Sequence, residues 1–198
     1  MSCPCMCILP EDGLYSRSMF FYLTSVKKVE GAFVGDKYQT RPTFFGELHK
    51  DYLTEQQRFD NISDFFIARI RSNHFNLPPA EFKVAIEDYS FGSKGRVFNI
   101  AENTGLLKHK LWKAGYKFEV VAPTTVKKFA TGKGNADKEA MYIAFSKDND
   151  VDINKYICPD KKLGSPITDI VDSYYIARYL REQNLARENS RRANTLSQ

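Results

Sequence analysis

The chain has 198 residues, of which 42% are hydrophobic, and its 29 Lys and Arg against 24 Asp and Glu give a formal net charge of +5. That length and apolar content support one substantial core, which predicts a single domain over 1–182 with a basic, frayed tail over 183–198 that lacks a core face. The longest apolar runs, such as Met19 to Leu23, are too short to span a bilayer, and no signal peptide pattern is present, so a membrane protein is excluded and a cytoplasmic location is expected.

Residues 3 to 9 read as a first strand. Cys3, Cys5 and Cys7 alternate along it and share one face. With Cys158 they make neither a disulfide framework nor a C-x-x-C metal knuckle, and a strand lined by small apolar thiols is the better account. Pro10-Glu11-Asp12-Gly13 supplies turn chemistry and two carboxylates at the strand's exit. Met19 to Ser25 fits a second strand, antiparallel after that turn, and Ala32 to Val34 a third. Arg41 to Tyr52 reads as an irregular connection. Leu53 to Ser72 reads as a helix: Thr54 with Gln57 resembles a capping box, and Phe59, Ile62, Phe65, Phe66, Arg69 and Ile70 recur at helical spacing.

Val84 to Asp88, V-A-I-E-D, follows the turn-rich Leu77-Pro78-Pro79 and has the form of a central strand ending on a carboxylate. Open α/β sheets bind ligands at the carboxyl ends of their strands, which singles out Glu87 as a catalytic candidate, although a first solvated residue after a strand has the same local appearance. The loop from Asp88 to Gly95 carries Tyr89 and Phe91 beside Lys94 and Arg96. Aromatics in such a setting stack on unpaired bases or fold back onto the core. Arg96 to Ala114 is a predicted helix closed by Gly115, and Phe118 to Ala122 a short buried strand, which together imply a right-handed parallel crossover.

A further helix is expected from Pro123 to Phe129 with Thr124 as its cap. The following T-G-K-G-N-A-D-K, 131–138, lacks the phosphate-loop pattern and follows no strand; Lys138 instead opens a helix carrying Met141 and Ile143. Lys94 to Lys138 is strongly basic, with Lys127, Lys128, Lys133 and Lys138 toward its end, either a solvated face or a nucleic-acid footprint. Asp148 to Leu163 reads as a polar connection. In S-P-I-T-D-I-V-D-S-Y-Y-I-A-R-Y-L, Ser165 to Leu180, Ser165 can cap and Pro166 fits the first turn, so Asp169 and Asp172 project from one side near the helix start. Two acids in a first turn commonly complement the helix dipole; together with a strand-end glutamate they form a set of hard oxygen ligands for Mg²⁺ or Mn²⁺.

The order of these elements is that of the ribonuclease H-like fold, an α/β arrangement with a mixed five-stranded sheet flanked by helices. The chain resembles the RuvC family of Holliday junction resolvases through A-I-E at Ala85 to Glu87, V-K-K-F-A-T-G-K-G-N-A-D-K at Val126 to Lys138 and D-I-V-D-S at Asp169 to Ser173. The resemblance implies a homodimer that nicks opposed strands of branched DNA at a four-way junction, with two Mg²⁺ ions, or Mn²⁺, per site. Carried over by position, Glu87, Asp169 and Asp172 match the family's metal-binding acids, and Lys127 and Lys138 its basic contacts to the scissile backbone. The first strand departs from the family pattern: Asp12 aligns best with the remaining acid, with Glu11 the next choice, and the stretch between Val34 and Leu53 lies outside the match. The resemblance therefore implies Asp12, Glu87, Asp169 and Asp172 as catalytic metal ligands, Lys138 as an electrostatic catalyst, and Lys127 and Lys138 as DNA contacts, while the basic stretch and its aromatic loop add Lys128, Lys133, Tyr89, Phe91, Lys94 and Arg96 as candidate DNA-binding residues. Two other readings remain: a ribonuclease H-like nuclease acting on flaps or RNA–DNA hybrids, and a branched-DNA-binding module whose altered first strand has lost metal. A compact, divergent resolvase suits a phage or other virus, in which case it would work in the host-cell cytoplasm.

Overall fold

The computed structural model describes residues 3–34, 42–72, 77–89, 97–159 and 161–196. Phe91, Lys94 and Arg96 lie outside the described residues. Six strands and six helices are present among them: β1 (Cys5–Ile8), β2 (Met19–Thr24), β3 (Gly31–Val34), β4 (Thr43–Leu48), α1 (Glu55–Ser72), β5 (Val84–Glu87), α2 (Val97–Lys113), β6 (Phe118–Val121), α3 (Pro123–Thr131), α4 (Lys138–Asn149), α5 (Asn154–Ile157) and α6 (Ile167–Leu196). The architecture is mixed α/β. No helix among the described residues is long and apolar enough to cross a membrane.

Instead of one five-stranded sheet, the strands form a four-stranded mixed sheet in the order β1-β2-β4-β3 and a two-stranded parallel sheet of β5 and β6. The difference begins at β4, in the stretch that reads as an irregular connection. β4 inserts between β2 and β3, parallel to the first and antiparallel to the second. Its register places Phe44 on Phe20 and Phe45 on Phe21, with each pair stacked at 5.0 Å on opposite faces of the sheet. These cross-strand aromatic pairs supply the stabilisation that local pattern does not reveal. Gly46 completes the fit, because a Cβ there would collide with the Val29 carbonyl and stand 2.6 Å from the Tyr22 ring. The Tyr22 hydroxyl in turn donates to that same carbonyl at 2.7 Å.

The strands alternate between two cores. Met6, Val84 and Ile86 pack toward α1 and α2 with Ile67, Ile70, Leu111 and Tyr116. Cys5, Cys7 and Ala85 face the opposite core, built on Ile167, Ile170, Val171, Tyr174 and Tyr175 of α6, Val126 of α3 and Met141 and Phe145 of α4. The thiol face therefore packs as an apolar strand surface, and burial pushes Cys3, Cys5 and Cys7 well above the usual thiol range.

Helix ends follow local chemistry. Thr54 Oγ1 accepts from the Gln57 amide at 3.2 Å, while the Gln57 side chain accepts from the Leu53 amide at 2.7 Å. α2 closes on Gly115 at φ 85°, with the Tyr116 amide donating to Leu111 and the Gly115 amide to Trp112, both at 3.0 Å. For α3 the cap is Ala122 rather than Thr124, because Pro123 occupies the first helical turn and moves the start forward. The expected polar connection after Asp148 contains α5, whose Ile157, with the flanking Ile153 and Cys158, enters the main core. The region expected to fray is helical: α6 runs on to Leu196, its outer turns tied back by Arg187, which forms a two-pronged ion pair with Glu119 of β6.

Candidate active site

Strand alternation decides where Glu87 points. It shares a face with Ala85, which packs toward α6, so its carboxyl emerges at the end of β5 on the side of the α6 acids. On α6, Asp169 and Asp172 are separated by about one helical turn and both flank the buried Ile170 and Val171. A cavity of about 280 Å³ opens there, bounded by Glu87, Asp88 and Tyr89 after β5, Lys127 on α3, Asp137 and Lys138 at the start of α4, and Asp172.

Three carboxyls in one neighbourhood resist ionisation together. The protein packed around Glu87, followed by the Asp172 charge, pushes its pKa up to about 7, opposed by Lys127, although its outer edge remains open to solvent. Burial, then Asp169, pushes Asp172 up to about 6, with Lys138 and Lys127 pulling it down. Burial also raises Asp169, against a hydrogen bond from Ser165 and the charge of Lys138. Asp169 Oδ2 is buried and has no hydrogen-bond partner among the described residues. Lys138 Nζ donates to Thr168 Oγ1 at 3.3 Å, which ties the first turn of α4 to the first turn of α6. Asp137 Oδ1 accepts from the Ala140 amide at 2.8 Å and so fixes the helix start that presents Lys138.

The structure thus brings Glu87, Asp169, Asp172, Lys127 and Lys138 together, with Tyr89 at the rim. Lys128 and Lys133 are exposed outside the cavity lining. Asp12 is not brought to the cluster. It forms an ion pair with Arg17 and accepts the Leu14 amide at 2.9 Å, closing the turn between β1 and β2. The neighbouring Glu11 carbonyl accepts from Arg181 Nε at 2.7 Å. Arg181 stands nine residues beyond Asp172 on α6, about 13 Å along the helix axis, so this turn sits away from the acid pair. What β1 does bring near Asp169 is thiol: Asp169 raises both Cys3 and Cys5, and Cys5 Sγ lies 3.4 Å from Ser173 Oγ. Sequence reasoning did not single out Thr168, Asp137 or the Ser165 contact to Asp169. The D-x-x-D spacing gave the acids, while their partners come from elements distant in the chain.

The donor set suits a hard divalent cation: three oxygen-bearing acids with raised pKa values, one of them carrying a buried, unpartnered oxygen. No three His, Cys, Asp or Glu side chains among the described residues close tightly enough to enclose an ion by themselves.

A mixed α/β protein with acids gathered at the carboxyl end of a short parallel strand and basic groups beside them is the class that this fold and cluster define. Among solved structures the chain is similar to Thermus thermophilus RuvC in complex with a Holliday junction substrate, with a TM-score of 0.50 and 18% identity over 71% of this chain and 80% of that one. The Thermus thermophilus RuvC structure also matches, with a TM-score of 0.44 and 18% identity over 69% of this chain and 72% of that one. No protein-family model matches the chain, and no curated protein matches it by sequence. The fold is a divergent RuvC-like fold, in agreement with the three sequence motifs.

Proposed function

We propose that this protein is a structure-selective endonuclease that resolves four-way DNA junctions by metal-dependent hydrolysis of the phosphodiester backbone. The observation that carries the reading is the gathering of Glu87 and Asp172 with Lys127 and Lys138 around one cavity, with the Asp169 charge acting on both acids. The solved complex of a RuvC of similar fold with a Holliday junction supports branched DNA as the substrate.

Glu87, Asp169 and Asp172 would hold Mg²⁺ or Mn²⁺, with water and substrate phosphate completing the shell, since Mg²⁺ commonly takes only one or two carboxylates from protein. The bound ions supply charge stabilisation for the attacking and leaving oxygens. Lys138, held by Thr168, would offset charge developing on the phosphate, and Lys127 would position the strand without reading its sequence. Two copies acting together make the paired nicks that resolution requires.

Incubation of the protein with a four-way junction and a matched linear duplex, with Mg²⁺ or with EDTA, tests the reading. Paired nicks confined to the junction and abolished by EDTA are expected; cleavage of both substrates alike would instead favour a less selective nuclease. One feature favours a second reading, a branched-DNA-binding module without cleavage: β1 presents thiols toward Asp169 while Asp12 is engaged by Arg17. Metal-independent junction binding with no nicking would establish it.

A further inference from the structure

Metal chemistry accounts for only part of the cavity at the acid cluster. Besides Glu87, Asp172, Lys127 and Lys138, it is lined by Ile100 of α2, Pro123 at the start of α3 and Met141 of α4. These three apolar groups come from three helices, so packing and not one helix face puts them there. A hydrated ion or a phosphate oxygen gains nothing from them; a ligand with an apolar surface does.

Two further carboxylates complete the lining. Asp88 Oδ1 accepts from the Tyr89 amide at 3.0 Å, and Asp137 Oδ1 accepts from the Ala140 amide at 2.8 Å. Neither second oxygen is hydrogen-bonded among the described residues, so each remains an acceptor. Such oxygens repel phosphate and attract N–H donors. Apolar groups together with acceptors suit a flat, uncharged group that carries an amino function, and a nucleobase with an exocyclic amino group is one. The volume of about 280 Å³ lies just under the roughly 300 Å³ at which pockets for drug-sized ligands begin, which is room for one base.

We infer that the cavity receives one unstacked, amino-bearing base from the nucleotide adjoining the scissile phosphate. The base lies against Ile100, Pro123 and Met141 and donates its amino hydrogens to Asp88 or Asp137, while Lys127 and Lys138 hold the phosphate beside it. Taking a base out of the stack costs least where pairing is already broken, as at a branch point. The pocket thereby gives selection for branched DNA a cause that backbone contacts, which read every duplex alike, do not supply. Thymine is disfavoured, because its O4 acceptor would face a carboxylate. The inference rests on the nuclease reading for its substrate and adds the part of that substrate which is recognised.

Binding of four-way junctions to Asp172→Asn protein in Mg²⁺ tests it, followed by the anisotropy of an end label. One junction carries 2-aminopurine, which brightens when unstacked, beside the crossover; two others differ only in cytosine or thymine there. Saturating protein is expected to raise 2-aminopurine emission severalfold, and adding Ile100→Trp, which fills the cavity, to abolish the rise. The cytosine junction should bind at least about fivefold more tightly than the thymine one, the low end for one good base contact. Asp88→Asn with Asp137→Asn should erase that preference, since an amide also donates; this pair carries the test if circular dichroism shows that Ile100→Trp is unfolded. Binding without a rise in emission, a rise that survives Ile100→Trp in a folded protein, or equal affinity for the two junctions would overturn the pocket and leave the nuclease reading standing. A rise on binding, with no cleavage by the wild-type protein, would count against the nuclease reading alone. Failure to bind any junction would remove both.

Discussion

Asp172 carries a pKa of about 6 because burial and the Asp169 charge both oppose its ionisation. A carboxyl whose folded pKa lies above its unfolded value binds its proton more tightly in the native state, so the associated stability is complete below the unfolded pKa and lost as pH rises through the folded one. For Asp172 that window runs from 3.8 to about 6. Asp172→Asn should therefore raise stability at pH 8 by about 1 kcal/mol after allowance for solvent screening, or roughly 3 °C in Tm, with little difference at pH 3.5. Thermal melts at the two pH values check this, and an equal gain at both would separate the effect from titration. The same variant is expected to bind junctions without cutting them. Thr168→Val removes the hydroxyl that holds Lys138 and leaves the charge, so cleavage should fall less than the roughly 100-fold expected of Lys138→Met. Single-turnover rates on a labelled junction distinguish the two, and a charge-removing change at Arg191 should have a smaller effect than either.

At the scale of elements, β4 and the outer turns of α6 are the parts that local pattern leaves out. β4 carries Gly46 within its six residues, and its aromatic partners Phe20 and Phe21 lie on a strand more than twenty residues earlier. Gly46→Ala should cost about 3 kcal/mol, because the atoms it meets include the fixed Val29 carbonyl and the buried Tyr22 ring. Chemical denaturation measures that loss. The stretch after Glu182 looks like a tail for a related reason: it has no apolar face, and its helix is exposed from Leu185 to Thr195, held by Arg187 to Glu119. Deleting 183–198 should reduce helical circular dichroism while leaving Tm nearly unchanged, since none of the described residues in those turns adds a side chain to the core.

For the whole molecule, the three acids oppose one another's ionisation, and under the proposed function a cation between them would relieve that cost. Mg²⁺ is expected to raise Tm at pH 8, where Glu87 and Asp172 are ionised, and to have little effect at pH 5, where both retain protons. A Mg²⁺ shift of equal size at both pH values would place the ion elsewhere.

The end of β5 at Glu87, the helical spacing of Asp169 and Asp172, the Thr54 cap and the Gly115 stop were legible in the sequence because all follow from backbone periodicity and short-range hydrogen bonding. The order of elements and three short motifs also carried the RuvC-like fold, which the structure bears out. Which acids come together was not legible in the sequence and depends on long-range packing. Asp12 is as acidic in sequence as Glu87, yet a turn closed by Arg17 and anchored to Arg181 holds it away, and β1 turns cysteine toward Asp169 in its place. Strand pairing and helix docking join residues distant in the chain, so the division of strands into two sheets and the membership of the site depend on contacts that no local window contains.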